Sequence, residues 1–426
     1  MKIYCLNNLT DNERKKLLKR TAINNISIKK TVQGIVDEVK RNGLKSAICY
    51  AKNFDGFSSE NIYVTKGEFE EAEKILPSKI KSAIESAYNN IYAFQIKQYP
   101  KNYSIVITEG VKCERKFIPI ENVGLYIPSG TAPLPSTMLM LGIPAQIAGC
   151  NRIVATSPAK DKIHPTILYA AKLCGINEFI KIGGAHSVAL LAYGDKNFKR
   201  VDKIFGPGNL YVTAAKGSIS IDPDGCSMDM IAGPSELLII ADAAANPSFV
   251  AADLLSQAEH GSDSTVVLVT TSELVFKKVE QNLLNQLEKL PRKGFAKEAL
   301  KNSFCLIADN LADAFDFSND FAPEHLIINL MDPNKYLNRV INAGSVFIGQ
   351  YSPESAGDYA SGTNHCLPTY GFAKSIGGVS VEMFMKSVTF QSITKNGLKN
   401  LSNTIITLAE AESLHAHAEA VKIRLK

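Results

Sequence analysis

Between residues 124 and 348 short apolar runs alternate with stretches of helical period, and this alternation limits the fold more than any other feature of the chain. Strands are expected at 124–127, 152–155, 179–182 and 203–205. Helices are expected at 136–148, 165–173 and 187–193. A second series repeats the pattern, with strands at 237–241, 265–270, 306–308, 326–329 and 345–348 and helices at 247–261 and 272–290. Short apolar runs joined by helices read as parallel strands buried on both faces. The expected class is therefore α/β: two Rossmann-like parallel-sheet units in tandem, with a helical N-terminal region and a small C-terminal tail domain.

The flanks have other periods. Val32, Ile35, Val36 and Val39 form one helical face closed by Gly43, and Ile80, Ile84, Ala87, Ile91 and Phe94 form a second. Stretches 104–108 and 113–120 read as strands joined by a turn at Glu109-Gly110. Beyond residue 380, 387–393 reads as extended and 403–423 as helical.

A chain of 426 residues exceeds one ordinary domain, and 45% hydrophobic with 21% charged residues suits a globular protein. The basic run Arg14, Lys15, Lys16, Lys19 and Arg20 has no interleaved aromatics, so it reads as a solvated helix face and not as a nucleic-acid site. No segment approaches the roughly 18 apolar residues of a membrane span, and the N-terminus lacks an apolar leader, so a cytoplasmic protein is expected. The eight cysteines form no C-x-x-C pair and read as reduced, buried, small apolar residues.

Several stretches carry groups suited to chemistry. Asn246 and Pro247 look like the N-cap and first residue of a helix that Gly261 ends. Gln257 and His260, three apart, then project from one side of its last turn. The pair is either half of a metal site or surface decoration. Four Gly/Pro-rich loops end strands or open helices: 126–133, 183–186, 206–209 and 233–236. Ligands of open α/β sheets bind outside the carboxyl ends of strands, and helix N-termini offer N–H groups to phosphate. Neither standard phosphate fingerprint is present. Adjacent Glu324 and His325 open an apolar strand. In an extended segment they point to opposite faces, which suits two separate proton transfers. Stretch 352–365 is too polar for a core, and it offers Asp358 and His365. In the tail, Glu412 and His417 lie about 140° apart on a straight helix, so a site using both needs the helix to bend or sits at its end.

Taken together, 254–261, 206–209, 323–325 and 352–365 resemble the signatures of the histidinol dehydrogenase family, and the resemblance runs from about residue 30 to the end. It implies zinc- and NAD-dependent oxidation of L-histidinol to L-histidine through the aldehyde, the last step of histidine biosynthesis. One zinc per subunit falls on Gln257, His260, Asp358 and His417, and two NAD+ are consumed per turnover. The catalytic pair falls on Glu324 and His325, and the NAD contacts on Tyr126, His186 and Asn209. Substrate contacts fall on Ser235, His325, Glu412 and the zinc ligands. The resemblance also implies a homodimer in which the tail crosses to the other subunit. The accompanying division is a helical arm (1–26), a zinc/catalytic α/β domain (27–125 plus 236–378), an NAD-binding Rossmann-like domain (126–235) and the tail (379–426). Family members usually carry Gln where this chain has His186. The first 25 residues match poorly and receive no function. Alternatives are a related enzyme oxidising another polar alcohol, a zinc hydrolase, and a non-catalytic binding protein.

Overall fold

The computed structural model describes residues 1–20, 26–59, 61–129 and 132–426. Its centre is a pair of parallel sheets with one strand order. The first sheet runs Glu178–Ile180, Arg152–Thr156, Asn122–Tyr126, Lys203–Phe205, Ser227–Met228. The second runs Lys2–Cys5, Phe304–Ile307, Thr265–Thr270, Glu236–Ala241, His325–Asn329, Ser345–Ile348. Apart from the N-terminal edge strand, each sheet starts at its centre, winds one way, then reverses. The reversal leaves a crevice beside the first strand of each unit. Glu236–Ala241 is buried at every position, as a strand covered on both faces must be. Each fully buried Leu or Ile there contributes about 1.5–3 kcal/mol.

Three expectations about the chain's organisation are corrected. The opening segment is not purely helical: Lys2–Cys5 pairs in parallel with Phe304–Ile307 before the helix Asp11–Leu18, which Thr10 and Glu13 close with a capping box. Residues 21–25 of the expected arm lie outside the described residues. The helices Ile26–Asn42, Leu44–Asp55, Lys66–Ile75 and Ser78–Gln95, expected with the 236–378 unit, pack instead on the helices that flank the first sheet, Pro135–Ala148, Pro165–Leu173, Gly184–Tyr193 and Leu210–Ser220. Val32 and Val36 share a core with Val188 and Leu191, and Ile84 and Ile91 share one with Met138 and Leu139. The apolar stripes of these helices cover the outer sides of the helices that flank that sheet. The cysteines are free thiols, but Cys5 and Cys49 are exposed and Cys113 and Cys150 half-buried.

A third, antiparallel sheet, Met385–Ile393, Val111–Pro119, Tyr103–Thr108, stands apart. It leaves Tyr103, Ile105, Val106 and Ile107 more than half exposed, at 57%, 55%, 64% and 59%. The tail is two helices, Lys395–Ala411 and His415–Leu425, and not one. The chain breaks at Glu412–Leu414, where Ser413 takes φ 58°. Among the described residues no helix is long and apolar enough to cross a membrane.

Candidate active site

The carboxyl ends of the first sheet face the amino ends of the second across a cleft of about 330 Å³. Pro128, Pro207 and Asn209 follow first-sheet strands, whereas Ser235, Ser264 and Glu324 precede second-sheet strands, and all line it. Residues at strand carboxyl ends line the cleft on the first sheet, whereas on the second the lining residues sit at strand amino ends, opposite to the expected placement.

On the first-sheet side the loop 206–209 crosses the strand reversal. Gly206 has φ 122°, and a Cβ there would lie 2.2 Å from the Tyr126 carbonyl oxygen, so the close approach requires glycine. The Gly206 N–H donates to Asp229 Oδ2 (2.7 Å), and Lys216 Nζ donates to the Gly206 carbonyl (2.8 Å) and pairs with Asp229. Asn209 caps the helix Leu210–Ser220, its side-chain oxygen accepting from the Tyr211 and Val212 N–H groups at 3.0 and 3.1 Å.

Of the residues expected to touch NAD, Asn209 lines this cleft, and Tyr126 and His186 do not. The Tyr126 hydroxyl accepts from the Gly184 N–H (3.1 Å), and burial pushes the phenol up to about 12. His186 lies on the buried face of the helix Gly184–Tyr193, against the rings of Tyr50 and Phe54, with Nε2 3.4 Å from Asp55 Oδ2. Packing against the helix Leu44–Asp55 turns that imidazole away from the cleft. Gly130 and Thr131 of the loop 126–133 lie outside the described residues.

On the second-sheet side the helix Pro247–Ala258 starts as its sequence demands, with Asn246 accepting from the Ser248 N–H (3.0 Å) and Pro247 at the first position. It stops at Ala258, before Gly261. A turn closed by the His260 N–H on the Gln257 carbonyl (3.3 Å) keeps the two side chains together at the cleft. Gln257 is buried, and its Oε1 has no hydrogen-bond partner among the described residues. The stretch 352–365 is not structureless: the short helix Glu354–Tyr359 brings Asp358 to within 3.8 Å of His260 Nε2. Potential ligand atoms of His260, Glu354 and Asp358 lie within 4.8 Å of one another. Burial, together with the Asp358 charge, lifts the Glu354 carboxyl to about 7. An orphaned amide oxygen, an imidazole and crowded carboxylates form an N/O donor set that fits zinc.

Glu324 and His325 are buried at the same cleft. The strand begins at His325, so Glu324 lies outside it and the two side chains do not take opposite faces. Glu324 Oε2 accepts from the Glu236 N–H (2.8 Å) and lies 3.5 Å from His325 Nδ1. His325 Nδ1 is 3.2 Å from the Glu236 carbonyl, and Nε2 is 4.0 Å from Asp358 Oδ1. Burial lowers the His325 pKa, but the charges of Glu324, Glu354 and Asp358 outweigh it and carry it up to about 9. His365 completes the wall, bonded to Thr137 Oγ1 and the Asp358 carbonyl (each 3.0 Å), and burial takes its pKa down to about 4.

Glu412 and His417 are exposed and do not line this cleft. One chain thus brings together Ser235, Gln257, His260, Glu324, His325 and Asp358, without the tail pair. Sequence reasoning missed Glu354, although a carboxylate four residues before Asp358 on a helix shares its face.

Residues 18–425 match the family model described as histidinol dehydrogenase. A histidinol dehydrogenase of Aliivibrio fischeri is 48% identical over 100% of this chain and 97% of its own length. One of Pseudoalteromonas translucida is 49% identical over 92% and 91%. The crystal structure of histidinol dehydrogenase from Elizabethkingia anophelis superposes with a TM-score of 0.94 at 45% identity, covering 100% of this chain and 98% of that one.

Proposed function

The chain belongs to the histidinol dehydrogenase family, and from that membership we propose that the cleft between its two sheets oxidises L-histidinol to L-histidine through L-histidinal. The observation that carries the site assignment is the convergence of Glu324 and His325 with the unpartnered Gln257 oxygen, His260 and Asp358.

Gln257, His260 and Asp358 would hold one zinc per subunit, and the loop at Asn209 would meet NAD+. When bound, zinc holds the substrate's polar groups and NAD+ accepts hydride, twice per turnover. In neutral His325, Nδ1–H donates to the Glu236 carbonyl, which leaves Nε2 as the base for the carbinol proton. Glu354 and Asp358, two of the three carboxylates that favour protonated His325, belong to the candidate ligand cluster, where a bound cation would offset their charge and favour the neutral base. Glu324, with Oε2 fixed by the Glu236 N–H, presents its other oxygen to a water. It takes that water's proton as the aldehyde is attacked, giving the gem-diol that is oxidised second. Ser235 lines the same wall and would orient substrate. Held in the cleft between the sheets, the aldehyde would stay in place between the two oxidations.

The tail completes the site from a second copy. Glu412 would meet substrate and His417 would supply the remaining zinc ligand. Support comes from the apolar face at Tyr103–Ile107, which one chain leaves bare, and from Leu408, Leu414 and Ile423, exposed at 58%, 44% and 60% on the tail helices. The enzyme is read as a cytoplasmic homodimer. Purified protein with zinc should form two NADH per L-histidinol. Turnover of another amino or hydroxy alcohol but not of histidinol would overturn the substrate assignment.

A further inference from the structure

The N-terminal arm, which carries no function in the sequence reading, reaches the back of the catalytic pair. Arg20 grips Glu236 with two nitrogens, Nε to Oε1 at 3.0 Å and Nη2 to Oε2 at 3.2 Å, and both side chains are nearly buried, at 10% and 3% exposure. Nη2 also donates to the Phe321 carbonyl, Nη1 to the Leu18 carbonyl (2.9 Å), and the guanidinium lies 3.6 Å from the centre of the Phe321 ring.

Each anchor leads to the site. Glu236 is the residue whose N–H holds Glu324 and whose carbonyl meets His325 Nδ1. Phe321 ends the helix Leu311–Phe321, three residues before Glu324, and Ala322 makes the left-handed turn that redirects the chain (φ 47°). Glu236 Oε1 also accepts from the Tyr370 N–H (3.0 Å), and the Tyr370 ring lies so close to Gly233 that no Cβ fits there. Gly233 and Ser235 belong to the cleft wall. One guanidinium therefore ties together the turn before Glu324, the strand start that holds both catalytic side chains, and the loop at Ser235. Burial raises the Glu236 carboxyl, and the Arg20 charge and hydrogen bonds oppose that rise.

We propose that Arg20 is a positioning residue for Glu324 and His325, acting through Glu236 and the Phe321 carbonyl. The proposal rests on the reading of Glu324 and His325 as the catalytic pair.

The test uses full-length zinc-loaded enzyme and steady-state kinetics with histidinol, histidinal and NAD+. Arg20→Met should lower kcat on both substrates by about 10- to 100-fold, the scale of a small misplacement of reacting groups, with KM for NAD+ unchanged within about twofold. Arg20→Lys should recover part of this, since an ammonium cannot grip both carboxylate oxygens in the plane of a guanidinium. Removing the charge also leaves Glu236 unpaired, so Arg20→Met/Glu236→Gln restores neutrality and should recover the melting temperature. Its kcat should stay low, because the Phe321 and Glu236 anchors are still missing. Arg14, which pairs on the surface with Asp320 at 2.7 Å, is the control for docking of the arm, and Arg14→Ala should leave kcat intact. Wild-type kcat in Arg20→Met or in the double variant would overturn the proposal, as would an equal loss in Arg14→Ala. Glu324→Gln tests the underlying reading separately. Full histidinal oxidation by that variant would remove the catalytic pair and this proposal with it, whereas an inactive Glu324→Gln beside an active Arg20→Met would sink the positioning role alone.

Discussion

The two parallel sheets wind in one order but meet the cleft with opposite ends. The first presents the carboxyl ends of its strands and, at Asn209, the N-terminus of the helix Leu210–Ser220. The second presents the amino ends of its strands and, at Gln257, the C-terminus of the helix Pro247–Ala258. Helix N-termini carry partial positive charge and C-termini partial negative charge. One side of the cleft is thus electrostatically suited to an anionic dinucleotide and the other to a cation and proton-transfer groups. The ionisable side chains of the cleft, among them His260, Glu324, His325 and Asp358, gather on the second side, while the first offers Pro128, Pro207, Gly208 and a capping Asn. Strand order alone does not say which end of a sheet will be used; the polar residues placed at its loops decide that.

The contrast can be broken from either side. Removing zinc by chelation, or replacing a second-sheet ligand with His260→Asn, should give the largest effect, loss of turnover with restoration by added zinc in the wild type. Metal analysis and NADH formation check this together, and full activity without metal would dissolve the distinction between the two ends. Next comes Glu324→Gln, expected to slow histidinal oxidation by about 10²–10⁴-fold, the usual worth of a positioned acid–base group, and histidinol-to-histidinal conversion less. Equal losses on both substrates would contradict the assignment of water activation to Glu324. The smallest effect belongs to the first sheet. Asn209→Ala removes a helix cap, costing about 1 kcal/mol of stability, and loosens the loop proposed to meet the cofactor, so KM for NAD+ should rise with kcat nearly unchanged. A fall in kcat without a change in KM would place Asn209 with the chemistry and not with the cofactor.

The tail adds a further comparison, between a core that is formed in one chain and two residues that are not. A His417→Asn subunit paired with a Glu324→Gln subunit should regain activity in a verified heterodimer, because one of its two sites then draws every group from an intact source. No recovery would mean that each site is built from a single chain.

Much of this was legible because burial on both faces writes itself as apolar runs. The strand Thr265–Thr270 falls where its six residues predict, and Asn246-Pro247 mark the helix start that brings Gln257 and His260 to the cleft. Other features depend on where elements end. The basic run puts Arg20 with Arg14 on one solvated face, but the helix stops at Leu18, and beyond it the chain turns Arg20 inward onto Glu236. The family resemblance implies a cofactor contact at His186, and the helix Leu44–Asp55 packs against that imidazole, a long-range contact no local pattern reports. The tail break at Ser413 is written only in backbone dihedrals, since no Gly or Pro marks it.

The most direct measurement is a crystal structure with zinc and L-histidinol, with the metal located by anomalous scattering. The account predicts zinc bound by Gln257, His260 and Asp358 at the amino ends of the second sheet. It also places His417 of the partner subunit on the metal, with the carbinol facing Glu324 and His325. Zinc held elsewhere, or a carbinol turned away from that pair, would contradict it.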